Sequence, residues 1–173
     1  MKNKKIKVGI LGGSFDPAHR GHLAISKEAK KRFKLKKIIW AITKKNPFKM
    51  ESKKSVPVRI NHCKKIIGAN SFIKVKFYEK IIRSNKTINL INYLKKDKKI
   101  EIYFLMGADN LIHFHKWHKS KLISQKCNIL VFDRHGYKKN SLKSKTFKQL
   151  SKTNLEFIEF NKVNISSSQL RKI

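Results

Sequence analysis

Six short apolar runs, at residues 7–11, 37–43, 73–78, 100–106, 128–132 and 155–160, recur along the chain at intervals too long for hairpin turns. Between several of them lie stretches with apolar residues at helical spacing: Leu23, Ala24, Ala29 and Phe33 within 21–33, then 58–67 and 87–96, with a short helix from Asn110. Asn46-Pro47 marks a loop, residues 136–152 are polar and basic with no clear period, and Ser166 opens a last short helix. Strands alternating with helices predict a parallel sheet covered on both faces. With right-handed crossovers this is an α/β, Rossmann-like, doubly wound fold, whose ligand lies beyond the carboxyl ends of the strands. No repeat or low-complexity linker divides the chain, so residues 1–173 are expected to form a single domain that needs no disulfide or metal staple.

The formal charge of +33 invites a nucleic-acid reading, because clustered cations release counterions from phosphates. Only six of the 43 basic residues are arginine (Arg20, Arg32, Arg59, Arg83, Arg134 and Arg171), and lysine is spread along the whole chain. Readers of bases and phosphates favour the arginine fork. No aromatic-interleaved stripe or helix-turn-helix pattern is evident, so no dedicated nucleic-acid partner is expected. The positive field would still draw in anionic small molecules.

Cys63 and Cys127 stand far apart with no CxxC, which indicates neither a disulfide framework nor a zinc knuckle. No apolar run approaches the roughly 18 residues of a membrane span, and the stretch behind the basic start is too short for a secretory core. A reduced, cytoplasmic protein with no membrane partner is expected. The ten Asp and Glu residues form no tight cluster, which argues against paired-carboxylate or two-metal chemistry.

The polar signatures fall at strand ends. Gly12-Gly13-Ser14-Phe15-Asp16-Pro17-Ala18-His19-Arg20-Gly21-His22 follows the first strand directly. Two glycines there let the backbone approach a phosphate and adopt dihedrals closed to other residues. His19 and His22, three apart at a helix start, can set their rings on one side beside open N–H groups that favour an anion. A glycine turn with two surface histidines is the alternative for either half alone. The stretch is neither a Walker A loop nor the GxGxxG dinucleotide fingerprint. Near the end, Ile165-Ser166-Ser167-Ser168-Gln169-Leu170-Arg171 sets three hydroxyls at a helix start with an arginine one turn on, a pattern that suits a polyphosphate cradle or a simple serine cap.

These residues carry a resemblance. The first stretch resembles the GGTFDPxHxGH signature of the HxGH nucleotidyltransferase superfamily, with Ser14 for Thr, and the second resembles its ISSTxIR motif. Met106-Gly107-Ala108-Asp109-Asn110-Leu111 with Phe114-His115-Lys116-Trp117 resembles the MGADxL…FHxW block of bacterial nicotinate-mononucleotide adenylyltransferases. Asn46-Pro47-Phe48-Lys49 is similar to that family's NPxK loop. Lys86-Thr87-Ile88-Asn89-Leu90 is similar to its YTxDTL segment, with only Thr87 and the following spacing kept. The resemblance spans Val8 to Arg171; members usually continue through a further helix, so a minimal or a truncated version is expected here.

The resemblance implies an HxGH-type nucleotidyltransferase that joins ATP to nicotinate mononucleotide, giving deamido-NAD and pyrophosphate. It assigns catalysis to His19, His22 and Arg171, and places ATP against Gly12, Gly13, Ser14, His22, Gly107, Asp109, Ser166, Ser167 and Arg171. It places the mononucleotide against Phe15, Lys49, Thr87, Trp117 and His118, with Trp117 stacked on the pyridine; a core anchor is the alternative for that tryptophan. Magnesium is expected mainly on ATP phosphates, with no protein metal site; His113, His115 and His118 lack a completing acid or cysteine in a zinc spacing. The alternatives are an adenylyltransferase for nicotinamide mononucleotide or phosphopantetheine, a cytidylyltransferase, or a non-enzymatic basic nucleic-acid-binding protein.

Overall fold

The computed structural model describes residues 4–151 and 154–159 together with Leu170. Strands β1 (Ile6–Gly13), β2 (Lys37–Ile42), β3 (Ile73–Lys76), β4 (Ile100–Gly107), β5 (Asn128–Phe132) and β6 (Leu155–Ile158) form one sheet in the order β3-β2-β1-β4-β5-β6. All five pairings are parallel. The helices are α1 (Arg20–Phe33), α2 (Val56–Ile67), α3 (Glu79–Ile82), α4 (Thr87–Leu94), α5 (Ala108–His113), α6 (Ser120–Lys126), α7 (Lys138–Lys143) and α8 (Lys145–Leu150). A 3-10 turn, Phe114–Lys116, continues α5.

Strand side chains alternate between two apolar layers, as a sheet buried on both faces requires. Val8 and Ile10 of β1, Ile102 and Phe104 of β4, and Ile129 and Val131 of β5 pack on one side with Ile88 and Ile91 of α4, Leu111 of α5 and Ile123 of α6. Leu11, Trp40, Leu105, Leu130 and Phe132 face the other way, onto Ala29 of α1 and Cys63 and Ile67 of α2. The expected doubly wound fold is therefore present. The order in which strands are added reverses at β1, with β2 and β3 on one side of it and β4 to β6 on the other. The loops leaving the carboxyl ends of β1 and β4 therefore diverge and open a crevice there. Among the described residues no helix is long and apolar enough to cross a membrane.

All six expected strands form, with shifted ends: β1 runs on through both glycines, while β3 and β6 stop at Lys76 and Ile158. The helix expected over 87–96 ends at Leu94, and the one expected from Asn110 begins at Ala108. Residues 138–150, which show no period, hold α7 and α8. The buried residues of those helices are Ser141 and Thr146, small polar groups that leave no apolar stripe to read. Ser144 accepts the Phe147 N–H at 3.1 Å and caps α8.

Candidate active site

The glycines that close β1 are ordinary strand residues. Gly12 and Gly13 lie in register with Ala41 and Ile42 of β2, and neither has a positive φ. The unusual backbone expected of them falls instead on Phe15, at φ 50°. This corrects the dihedral half of the sequence reading; both glycines line the crevice and present no side chain there. The turn then runs through a cis Asp16–Pro17 bond into α1.

Two imidazoles cap that helix. Nδ1 of His19 accepts the Gly21 N–H at 3.1 Å, and Nδ1 of His22 accepts the His19 N–H at 3.2 Å. Their rings lie 3.8 Å apart. The expectation of open N–H groups beside the rings is thus corrected: two of those N–H groups are occupied by the rings themselves. An Nδ1 that accepts bears no proton, so each neutral ring carries its proton on Nε2. Burial, then the Arg134 and Lys49 cations, lower the His19 pKa to about 4. Burial, followed by His19, Lys49 and Arg134, also holds His22 well below the usual histidine range. At neutral pH both residues are therefore uncharged N–H donors lining a crevice.

His22 is seated on an aromatic wall. The Phe15 ring lies 4.7 Å from it and stacks on Trp40 at 5.0 Å. The Trp40 Nε1–H donates to Ser26 Oγ at 2.9 Å, and Ser26 donates to the His22 carbonyl at 2.9 Å. These contacts restrict the ring before any ligand arrives.

The opposite wall comes from β4 and α5. Asp109, in the first turn of α5, pairs through Oδ2 with Arg134 Nη1 at 2.7 Å and lies 3.8 Å from Lys49 Nζ. Its Oδ1 is buried with no hydrogen-bond partner among the described residues. A Cβ on Gly107 would stand 2.6 Å from that oxygen, so only glycine lets the carboxylate fold back over the end of β4. Arg134 also lies over the Tyr137 ring, 5.6 Å from its centroid.

These walls enclose a cavity of about 1000 Å³. Every described residue among the expected ones lines it: Gly12, Gly13, Ser14, Phe15, His19, His22, Lys49, Thr87, Gly107, Asp109, Trp117 and His118. Trp117 is half-buried, packed on Phe114 at 5.2 Å and edge-on to Phe104 at 6.0 Å, so it is both a core anchor and part of the cavity wall. Ser166, Ser167 and Arg171 lie outside the described residues. Two residues went unnoticed in the sequence. Arg134 meets the crevice beside Asp109, and Arg59, 2% exposed on α2, donates to four backbone carbonyls around it. As single arginines in a strongly cationic chain they carry no distinguishing spacing.

Residues 10–173 match the family model described as cytidylyltransferase-like. A relative from Pelagibacter ubique (strain HTCC1062), named "Probable nicotinate-nucleotide adenylyltransferase", is 68% identical over 173 residues, covering 100% of this chain and 96% of that one. A relative of the same name from a Nitratiruptor species is 36% identical over 77% of this chain and 76% of its own. Among solved structures, "Plasmodium falciparum nicotinic acid mononucleotide adenylyltransferase complexed with NaAD" matches with a TM-score of 0.77 at 22% identity, over 96% of this chain and 82% of that one. At that identity the likeness speaks for the fold. By its match to the family model and its full-length relative, this chain belongs to the cytidylyltransferase-like family, in the branch of the nicotinate-nucleotide adenylyltransferases.

Proposed function

We propose that the crevice transfers the adenylyl group of ATP to the 5′-phosphate of nicotinate mononucleotide, releasing pyrophosphate and forming nicotinate adenine dinucleotide. The observation that carries this reading is the pair of Nε2–H donors, His19 and His22, held by their own helix cap in a cavity wide enough for two nucleotides. The attacking phosphate is already anionic near neutral pH, so no general base is required. The difficulty is to bring two polyanions together and to stabilise the charge that builds on the α-phosphate, which preorganised donors do well. His22 is assigned to the α-phosphate and His19 to its support. Ser166, Ser167 and Arg171 are assigned to the departing pyrophosphate on the strength of the motif alone.

Asp109 Oδ1, buried and unpartnered among the described residues, suits a ribose hydroxyl or a metal-bound water on the ATP side. Trp117, Thr87, His118, Phe15 and Lys49 all line the cavity; the resemblance assigns them to the mononucleotide, with Trp117 stacked on the pyridine. The groups around the histidines are imidazoles whose Nδ1 atoms already accept backbone N–H groups, a lysine and an arginine, and none of these is the oxygen ligand that magnesium takes. Magnesium would therefore be held mainly by phosphate oxygens and water, and would neutralise charge on the phosphates it accompanies. Steady-state pyrophosphate release with ATP and magnesium, run in parallel on nicotinate mononucleotide, nicotinamide mononucleotide and phosphopantetheine, tests the reading. Preferred turnover of the nicotinate substrate supports it, and preference for either other acceptor contradicts it. Steeply salt-dependent nucleic-acid binding without turnover would favour the basic-binder alternative.

A further inference from the structure

A single guanidinium holds the loop between β2 and α2 by both its ends. Arg59 Nη1 donates to the carbonyls of Ser14 at 2.6 Å and Thr43 at 2.8 Å, Nη2 to Lys44 at 3.3 Å, and Nε to Lys54 at 3.0 Å. Thr43 and Lys44 open the loop, Lys54 nearly closes it, and Ser14 belongs to the turn that carries the histidines. A second clasp lies beside the first: Asp16 Oδ2 accepts the N–H groups of Lys53 at 2.5 Å and Lys54 at 3.3 Å. One helical turn beyond Arg59, His62 Nε2 donates to the Ala18 carbonyl at 3.0 Å. From this neck the loop rises over the crevice, and Lys49 reaches to 3.8 Å from Asp109 on the far wall.

We infer that Arg59 and Asp16 are positioning residues that act through Lys49. They lock the loop to the histidine turn, so that the Lys49 ammonium and the imidazole donors are presented to the substrates as one rigid set. The planar five-donor fork of arginine can serve four carbonyls around a ring; a lysine ammonium has three donors on a flexible stem and cannot. This inference rests on the adenylyl-transfer reading and adds to it a coupling between two loops. An arginine that only stabilised the fold would affect the enzyme equally with or without Lys49.

The test is a double-mutant cycle: Arg59→Lys and Asp16→Ala, each alone and combined with Lys49→Ala. KM for nicotinate mononucleotide and kcat are read together with the rate of native-state tryptic cleavage at Lys45, compared with cleavage within residues 138–148. Each clasp variant is expected to raise KM by about tenfold with a smaller change in kcat, and to accelerate cleavage at Lys45 selectively. With Lys49 already alanine, the KM effect shrinks to less than about threefold, because the group being positioned is gone. Equal KM effects in both backgrounds overturn the inference, as does unchanged cleavage at Lys45 in a folded clasp variant. If Arg59→Lys does not fold, Asp16→Ala decides alone. A wild-type protein that does not turn over the mononucleotide would refute the functional reading, while the cleavage comparison would still judge the clasp.

Discussion

An imidazole that accepts a backbone N–H through Nδ1 is committed to one tautomer, and in this crevice two neighbouring histidines are committed in the same way. In the proposed reaction, His22→Ala removes one of those donors from the charge that builds on the α-phosphate oxygens. Its kcat is expected to fall by about 100-fold or more, with the chain still folded by circular dichroism; a kcat within a few-fold of wild type would remove His22 from the chemistry. His19 adds a dependence of stability on pH. Its folded pKa is near 4 and its unfolded value near 6.5. Between these values the unfolded chain holds more protons, so the stabilisation is complete above pH 6.5 and is lost as pH falls toward 4. Urea unfolding across that window should show the decline. His19→Asn, whose Oδ1 can still cap the helix, should lessen the decline without abolishing it, because His22 is also held below the usual histidine range, while costing less than about 1 kcal/mol at pH 7. At this scale the sequence was legible where residue type and spacing are rare together, as in His19 and His22. It was illegible for Arg59 and Arg134, whose roles come from contacts with chain distant in sequence.

At the scale of elements, the strand ends place the chemistry. The turn from β4 to α5 folds Asp109 back over Gly107, an approach that a methyl group would block at 2.6 Å. Gly107→Ala is therefore expected to displace the carboxylate and weaken its pair with Arg134. The expected cost is about 1–3 kcal/mol of stability by urea unfolding, with a clear rise in KM for ATP; an unaltered KM would mean that Asp109 does not face that substrate. Trp117 belongs to the segment after α5, and its replacement by alanine should raise KM for nicotinate mononucleotide by about tenfold, the order of one ring-stacking contact. Equal effects on both substrates would leave it only a core role. Helices with an apolar stripe, such as α1 and α2, were legible in the sequence. The short α7 and α8 were not, because they bury Ser141 and Thr146. The glycines of β1 mislead in a different way: the glycine pair suggests a special backbone, yet the sheet keeps both residues in register and the left-handed turn falls to Phe15.

For the whole molecule, the strand order β3-β2-β1-β4-β5-β6 sets one switch point, and the residues singled out along some hundred positions of chain meet there. That convergence was legible because strand-end motifs in a parallel sheet share one edge. The meaning of +33 charges was not, since composition alone does not separate a binding face from a solvated one. Beside the crevice proposed for two nucleotides, the field is expected to attract the polyanionic substrates. Raising salt from about 50 to 500 mM should then raise KM for both substrates while kcat changes little, as screening weakens attraction across the open crevice. The central claim, adenylyl transfer by neutral histidine donors, is tested most directly by pyrophosphate release from ATP, magnesium and nicotinate mononucleotide by wild type and His22→Ala side by side. Robust release by wild type and a loss of about 100-fold in the variant are predicted. No release by wild type, or equal release by both proteins, would contradict the claim.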